Sequence, residues 1–167
     1  DLLLLLADVK RRFPQVDAVC CGAILSTYQR LRVEHVCGRL GLGSLGFLWQ
    51  RSQPELLDEM IGRGVHAVLV KVATIGLDPW RHLGKNLAAV RPLLASLNAR
   101  FGVHECGEGG EYETLALDCP LFKRRLVLDE TEVVIHSDDF DAPVGLLKIK
   151  RWHTEPKALD AAAAAAA

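Results

Sequence analysis

The sequence is poor in several features that would place it at once. It has no surplus of basic residues: Lys and Arg number 20 against 21 Asp and Glu, a formal net charge of -1. Counterion release on a polyanion needs an excess of Lys and Arg on one surface, so direct nucleic-acid binding is disfavoured. No apolar run approaches the roughly 20 residues of a membrane-spanning helix, and no membrane association is expected. The run Leu2 to Leu6 follows an acidic residue. It lacks the basic start and small-residue cleavage site of a secretory signal. The five cysteines include no C-x-x-C pair. An odd count without zinc-finger spacing or disulfide-scaffold density reads as reduced thiols in a cytoplasmic protein. The six histidines form no H-x-x-x-H or H-x-H pair, so no metal ligand is assigned. The strand-to-helix bend Gly22 to Ser26 carries no G-x-G-x-x-G and no Walker lysine motif, and no nucleophile-elbow pattern is present. The cysteines have no neighbouring base in sequence, which leaves a thiol nucleophile unsupported.

What remains is an ordinary globular composition, with 50% apolar and 25% charged residues in 167. Asp1 is not an initiator Met, and the sequence is expected to belong to a longer polypeptide. The terminal run 161–167 is all Ala and takes no part in the fold reading. Residues 2–12 read as a helix capped by Asp1, with basic residues near its end. Val16 to Cys21 reads as a short buried strand between Pro14 and Gly22. A helix capped by Ser26 and stopped at Gly41 follows, then a strand over Ser44 to Trp49. That strand–helix–strand order implies a parallel α/β layer. Two strands are few for an independent sheet, which again points to more strands upstream.

Gln50 to Pro54 reads as a linker. Beyond it come a helix over Glu55 to Ile61, a strand over Val65 to Val72 and a loop over Ala73 to His82. A helix over Leu83 to Phe101, weakened at Pro92, follows. The last strands are expected at Thr114 to Leu117, Arg125 to Leu128, Glu132 to Ile135 and Leu146 to Ile149. The domains are thus 1–52, an α/β layer, and 53–155, a smaller mixed α+β unit, with a tail over 156–167.

The densest polar cluster is Gly107 to Thr114 (GEGGEYET). Three carboxylates, Glu108, Glu111 and Glu113, and three glycines occupy seven residues. The glycines permit φ > 0 and close backbone approach to a ligand, and successive N–H groups can form an anion nest. The acids suit a cation, an amine, ammonia or a nucleotide-borne metal. The plain alternative is an acidic surface turn. Gly22 to Ser26 sits between strand and helix, where open α/β sheets bind ligands and a helix start favours anions. A plain βα turn is the simpler reading of that segment alone. Arg30 and Glu34 are one helical turn apart and form a plain ion pair, unless Gln29 and Arg30 face the same crevice as Gly22. His104, just before the Gly/Glu loop, reads as a pocket residue or, more simply, as a satisfied structural histidine.

The run Gly107 to Thr114, continued by Leu115-Ala116-Leu117-Asp118-Cys119-Pro120-Leu121-Phe122-Lys123, resembles a motif of the diphthine–ammonia ligase family. These are ATP pyrophosphatases of the adenine-nucleotide alpha-hydrolase type. Gly22 to Ser26, Tyr28 to Arg30, Arg32 to Glu34, Lys71 to Ala73, Leu83 to Lys85 and Val133 to Asp138 are similar to the same family. The resemblance covers roughly 15–155. It implies the C-terminal part of a HUP/Rossmann-like parallel-sheet domain followed by a smaller α+β substrate domain. It also implies a ligase that uses ATP, with Mg²⁺, to activate the carboxylate of diphthine on the translation elongation factor. Ammonia then displaces AMP from an acyl-adenylate to give diphthamide. Carried over by position, Gly22, Ala23, Ile24, Gln29 and Arg30 would bind the nucleotide. Glu108, Glu111 and Glu113 would be catalytic, with Glu111 at the ammonia. Gly109, Gly110, Tyr112, Thr114 and Lys85 would bind substrate. The two glycine-bearing bends are expected to converge.

The family's phosphate-gripping S-G-G-K-D-S loop is not in this chain. The chain is therefore expected to show part of an active ligase, the alternative being a non-catalytic binding or scaffold relative. A homo-oligomer is left open.

Overall fold

The computed structural model describes residues 1–157. The alanine run lies outside the described residues, as does most of the tail expected over 156–167. Contacts divide the chain into two units, the first Asp1–Ser52 and the second starting at Gln53.

In the first unit, α1 (Leu2–Arg12) precedes β1 (Ala18–Cys20), α2 (Thr27–Leu40) and β2 (Gly43–Leu45). The Lys10 ammonium reaches the carbonyls of Leu40 and Gly41, where the α2 dipole is negative. α2 starts at Ser26, whose side chain accepts from the Gln29 N–H, and ends at Gly41 with φ 63°. β1 and β2 pair in parallel, Ala18 opposite Gly43 and Cys20 opposite Leu45. The expected parallel strand–helix–strand unit is therefore present. The second strand is shorter than expected. After Leu45 the chain turns through Gly46 to Gln50, because the Trp49 N–H bonds back to Gly46 O and the Gln50 N–H donates to Ile24 O at 2.8 Å.

The second unit holds α3 (Gln53–Gly62), β3 (His66–Val72), α4 (Pro79–His82), α5 (Leu87–Phe101), β4 (Tyr112–Asp118), β5 (Arg124–Ser137) and β6 (Val144–Pro156). The strands form one antiparallel sheet in the order β4-β3-β6-β5. Leu87, Val90, Leu94 and Leu97 of α5 pack with Leu57, Leu69, Val72 and Tyr112 in a single core. The architecture is the mixed α/β one expected, a parallel pair followed by an α+β unit. Neither unit has a helix long and apolar enough to cross a membrane among its described residues.

Three expectations are corrected. Gln53 and Pro54 are the first turn of α3, not linker, since Pro is tolerated where helical N–H groups have no partner. The loop before α5 contains α4, capped by Asp78 through the Arg81 N–H. Gly84, at φ 75°, then delays α5 to Leu87. Residues 84–85 bond to β3 instead, through Gly84 N–H to Leu69 O and Leu69 N–H to Lys85 O. The expected strands at Arg125 to Leu128 and Glu132 to Ile135 are one strand of 14 residues. β6 pairs along its length, and bulges near Leu128 to Thr131 absorb the mismatch.

Candidate functional site

The Gly/Glu loop joins α5 to β4 and is fastened from beneath. Tyr112, at the start of β4, is only 4% exposed. Its hydroxyl donates to Glu105 O at 2.6 Å. Burial pushes the phenol far above its usual range, so it stays a neutral donor at any physiological pH. Glu105 is buried and paired with Arg91 of α5 at 2.8 Å. Arg91 also grips Asp58 of α3 at 2.7 Å. The Glu105 N–H donates to the Gln53 side chain at 2.8 Å. Two helices and one strand thus fix the base of the loop.

Above this base, the side chains of His104 and Glu108 are 13% and 10% exposed. The His104 main-chain N–H donates to Glu111 Oε1 at 3.0 Å. Glu111 Oε2 is buried and has no hydrogen-bond partner. The Glu111 carbonyl accepts from the Ala73 N–H at 2.8 Å, which ties the loop to the end of β3. A Cβ on Gly109 would fall 2.7 Å from Glu111 Oε1, so only glycine lets the carboxylate lie this close. Gly107 has φ 73°, and a Cβ there would meet Tyr112 O at 2.9 Å. Gly107→Ala is expected to cost about 1–2 kcal/mol from the left-handed backbone alone. Urea unfolding checks this, and no loss of stability would contradict the loop geometry.

The remaining acid of the motif stands apart. Glu113 is exposed and pairs with Lys71 at 2.9 Å across β3 and β4. With Thr114, Leu146 and Ile149 it lines a separate shallow groove. Glu108 and Glu111 therefore gather around His104, while Glu113 is engaged on the strand. Gly110 turns the loop with φ 89°. Lys85 is exposed, and its carbonyl serves β3. Cys106 lies beside the loop, and its thiol donates to Gln53 O at 3.4 Å. Burial, with the nearby Glu105 charge, pushes this thiol up to about 11, so it stays protonated and is a poor nucleophile at neutral pH.

In the first unit, Gly22 is an exposed turn after β1, while Ala23 and Ile24 are buried. Gln29 is exposed. Arg30 pairs with Glu34 at 2.8 Å, and its guanidinium lies 4.5 Å from the centre of the Trp49 ring. Arg30 Nε is buried and unpartnered. Cys21, Ala23, Arg30, Glu34, Ser44, Gly46 and Trp49 line a cleft of about 200 Å³ at the carboxyl end of the parallel strands, where such layers bind ligands. A buried guanidinium N–H without a partner, an indole and three small residues, Ala23, Ser44 and Gly46, fit part of a nucleotide, while the Glu34 carboxylate in the same wall is held by Arg30. Among the described residues, no three His, Cys, Asp or Glu side chains stand together as a metal set.

Sequence reasoning missed Arg91, Asp58, Glu105 and Gln53. The signal was Arg91, four residues after Leu87 and three before Leu94, in the apolar register of α5. A charge in that register requires a buried partner.

Residues 52–154 match the family model described as diphthamide synthase C-terminal domain. A Danio rerio protein named diphthine–ammonia ligase is 57% identical over 94% of this chain and 61% of its own length. The Homo sapiens protein of that name is 54% identical over 94% of this chain and 58% of its own length. The Schizosaccharomyces pombe protein of that name is 55% identical over 90% of this chain and 24% of its own length. The chain thus spans about three fifths of the animal relatives it matches, at 61% and 58%.

Proposed function

This chain belongs to the diphthamide synthase C-terminal domain family, and from that premise we propose that it serves an ATP-dependent ligase amidating diphthine on the translation elongation factor. The curated relatives carry the name of that ligase. A carboxylate is a poor electrophile. Attack of its oxygen on the α-phosphate of ATP releases pyrophosphate and leaves an acyl-adenylate. Ammonia then attacks the acyl carbon, AMP departs and one proton is lost to a base. Water must be kept out, because the adenylate hydrolyses readily.

The observation that carries the reading is Glu111. One oxygen is held by a backbone N–H, and the other is buried with nothing to accept. Such an acceptor is costly unless a ligand donates to it. Ammonia supplies N–H donors and needs a base for the proton it loses. Glu111 fits both needs, with Glu108 beside it and Gly109 and Gly110 giving the room. Tyr112 acts by holding the loop rather than by touching substrate, since its hydroxyl is already engaged. Glu113, Thr114 and Lys85 would meet the protein substrate around the diphthine, as exposed groups of the same unit. In the first unit, Gly22, Ala23, Ile24, Gln29 and Arg30 would hold ATP, with Mg²⁺ travelling on its phosphates.

Arg30→Ala in the complete protein is expected to raise the KM for ATP about tenfold, the effect of losing one hydrogen bond to a charged group. An unchanged KM would remove Arg30 from the nucleotide site. The ligase reading itself is tested with ¹⁵N-ammonium, ATP and the diphthine-bearing elongation factor. One AMP and one pyrophosphate are expected per ¹⁵N amide formed. ADP release, or amide without nucleotide cleavage, would contradict it. A non-catalytic relative has less support, since the similar proteins carry a ligase name.

A further inference from the structure

Resting on the ligase reading, we propose that His104 is a positioning residue for the ammonia step, setting Glu108 through its ring while its main chain sets Glu111. The His104 ring nitrogens are used unequally. Nδ1 accepts from the N–H groups of Cys106 at 3.2 Å and Glu108 at 3.4 Å. In this geometry the ring hydrogen sits on Nε2. Nε2 stands 3.5 Å from Glu108 Oε2. That is long for a hydrogen bond from a ring N–H, and the buried Nε2 has no hydrogen-bond partner. A histidine kept only for structure would have both nitrogens satisfied. Here one is spent on the loop and the other faces a carboxylate of the motif. A small movement of Glu108 converts that approach into a charge-assisted hydrogen bond.

Both carboxylates are thereby referenced to one residue. Glu111 is held by the His104 backbone N–H, which no side-chain substitution removes. Glu108 faces the ring, which a substitution does remove. His104→Asn separates the ring's two tasks. The Asn Oδ1 takes the place of Nδ1 and accepts from the loop N–H groups, while nothing occupies the place of Nε2.

The complete enzyme is assayed as wild type, H104N, E108Q and the double variant, with ammonium chloride varied. Diphthine-dependent pyrophosphate exchange is followed in parallel. H104N is expected to exchange pyrophosphate as wild type does, and to raise the KM for ammonium about tenfold. The double variant is expected to be no worse than E108Q alone, because the two side chains act as one unit. A wild-type KM in H104N, additive losses in the double variant, or loss of exchange in H104N would each overturn the role of His104. Absence of exchange in the wild-type enzyme would instead sink the ligase reading beneath it.

Discussion

Glu111→Gln is expected to slow amide formation about a thousandfold, within the range for losing a positioned base. Adenylate formation is expected to proceed near the wild-type rate. The substitution is nearly isosteric, and its carbonyl oxygen still accepts from the His104 N–H that now holds Oε1. The change falls on Oε2, the buried oxygen without a partner. There an N–H donor replaces an acceptor, so ammonia meets a donor and finds no base. The measurement is single-turnover diphthamide formation with saturating ATP and ammonium, read by mass spectrometry of the elongation factor. A rate within threefold of wild type would remove Glu111 from the chemistry. Retained pyrophosphate exchange separates this outcome from misfolding.

Arg91→Ala is expected to cost about 3–5 kcal/mol of stability, the usual penalty for stripping one partner from a buried pair. Glu105 is 5% exposed and would be left uncompensated beneath the loop. Its carbonyl receives the Tyr112 hydroxyl, and its N–H is held by Gln53, so the damage reaches both β4 and α3. Asp58→Ala removes the solvent-facing end of the same network and is expected to cost clearly less, since Asp58 is 62% exposed. Urea unfolding of the two variants checks the order. Equal losses would show that the buried half of the network is not what holds the loop.

The sequence made the elements with local punctuation legible. Ser26 and Gly41 bracket α2, and the apolar β-branched run up to Val72 marks β3. The Gly/Glu loop was visible by composition alone, because three glycines and three acids in seven residues suit neither helix nor strand. What escaped was set by distant partners. Glu130 and Thr131 read as a break between two strands, yet β6 pairs across the bulges and makes one. Gln53 and Pro54 read as linker because they end the polar stretch that starts at Gln50, yet they open α3. Within the motif, spacing could not show that Tyr112 turns inward while Glu113 pairs outward with Lys71. It also could not show that His104 serves both remaining carboxylates, because that service runs through one backbone N–H and one ring.

The most direct test of the central claim, that Glu111 serves the amine and not the activation, is hydroxylamine trapping in the E111Q enzyme. Hydroxylamine is a stronger nucleophile than ammonia and needs less help from a base. With ATP and the diphthine-bearing factor, E111Q is expected to give the hydroxamate at close to the wild-type yield while giving almost no diphthamide from ammonium. Loss of hydroxamate together with diphthamide would place Glu111 in activation and contradict the account.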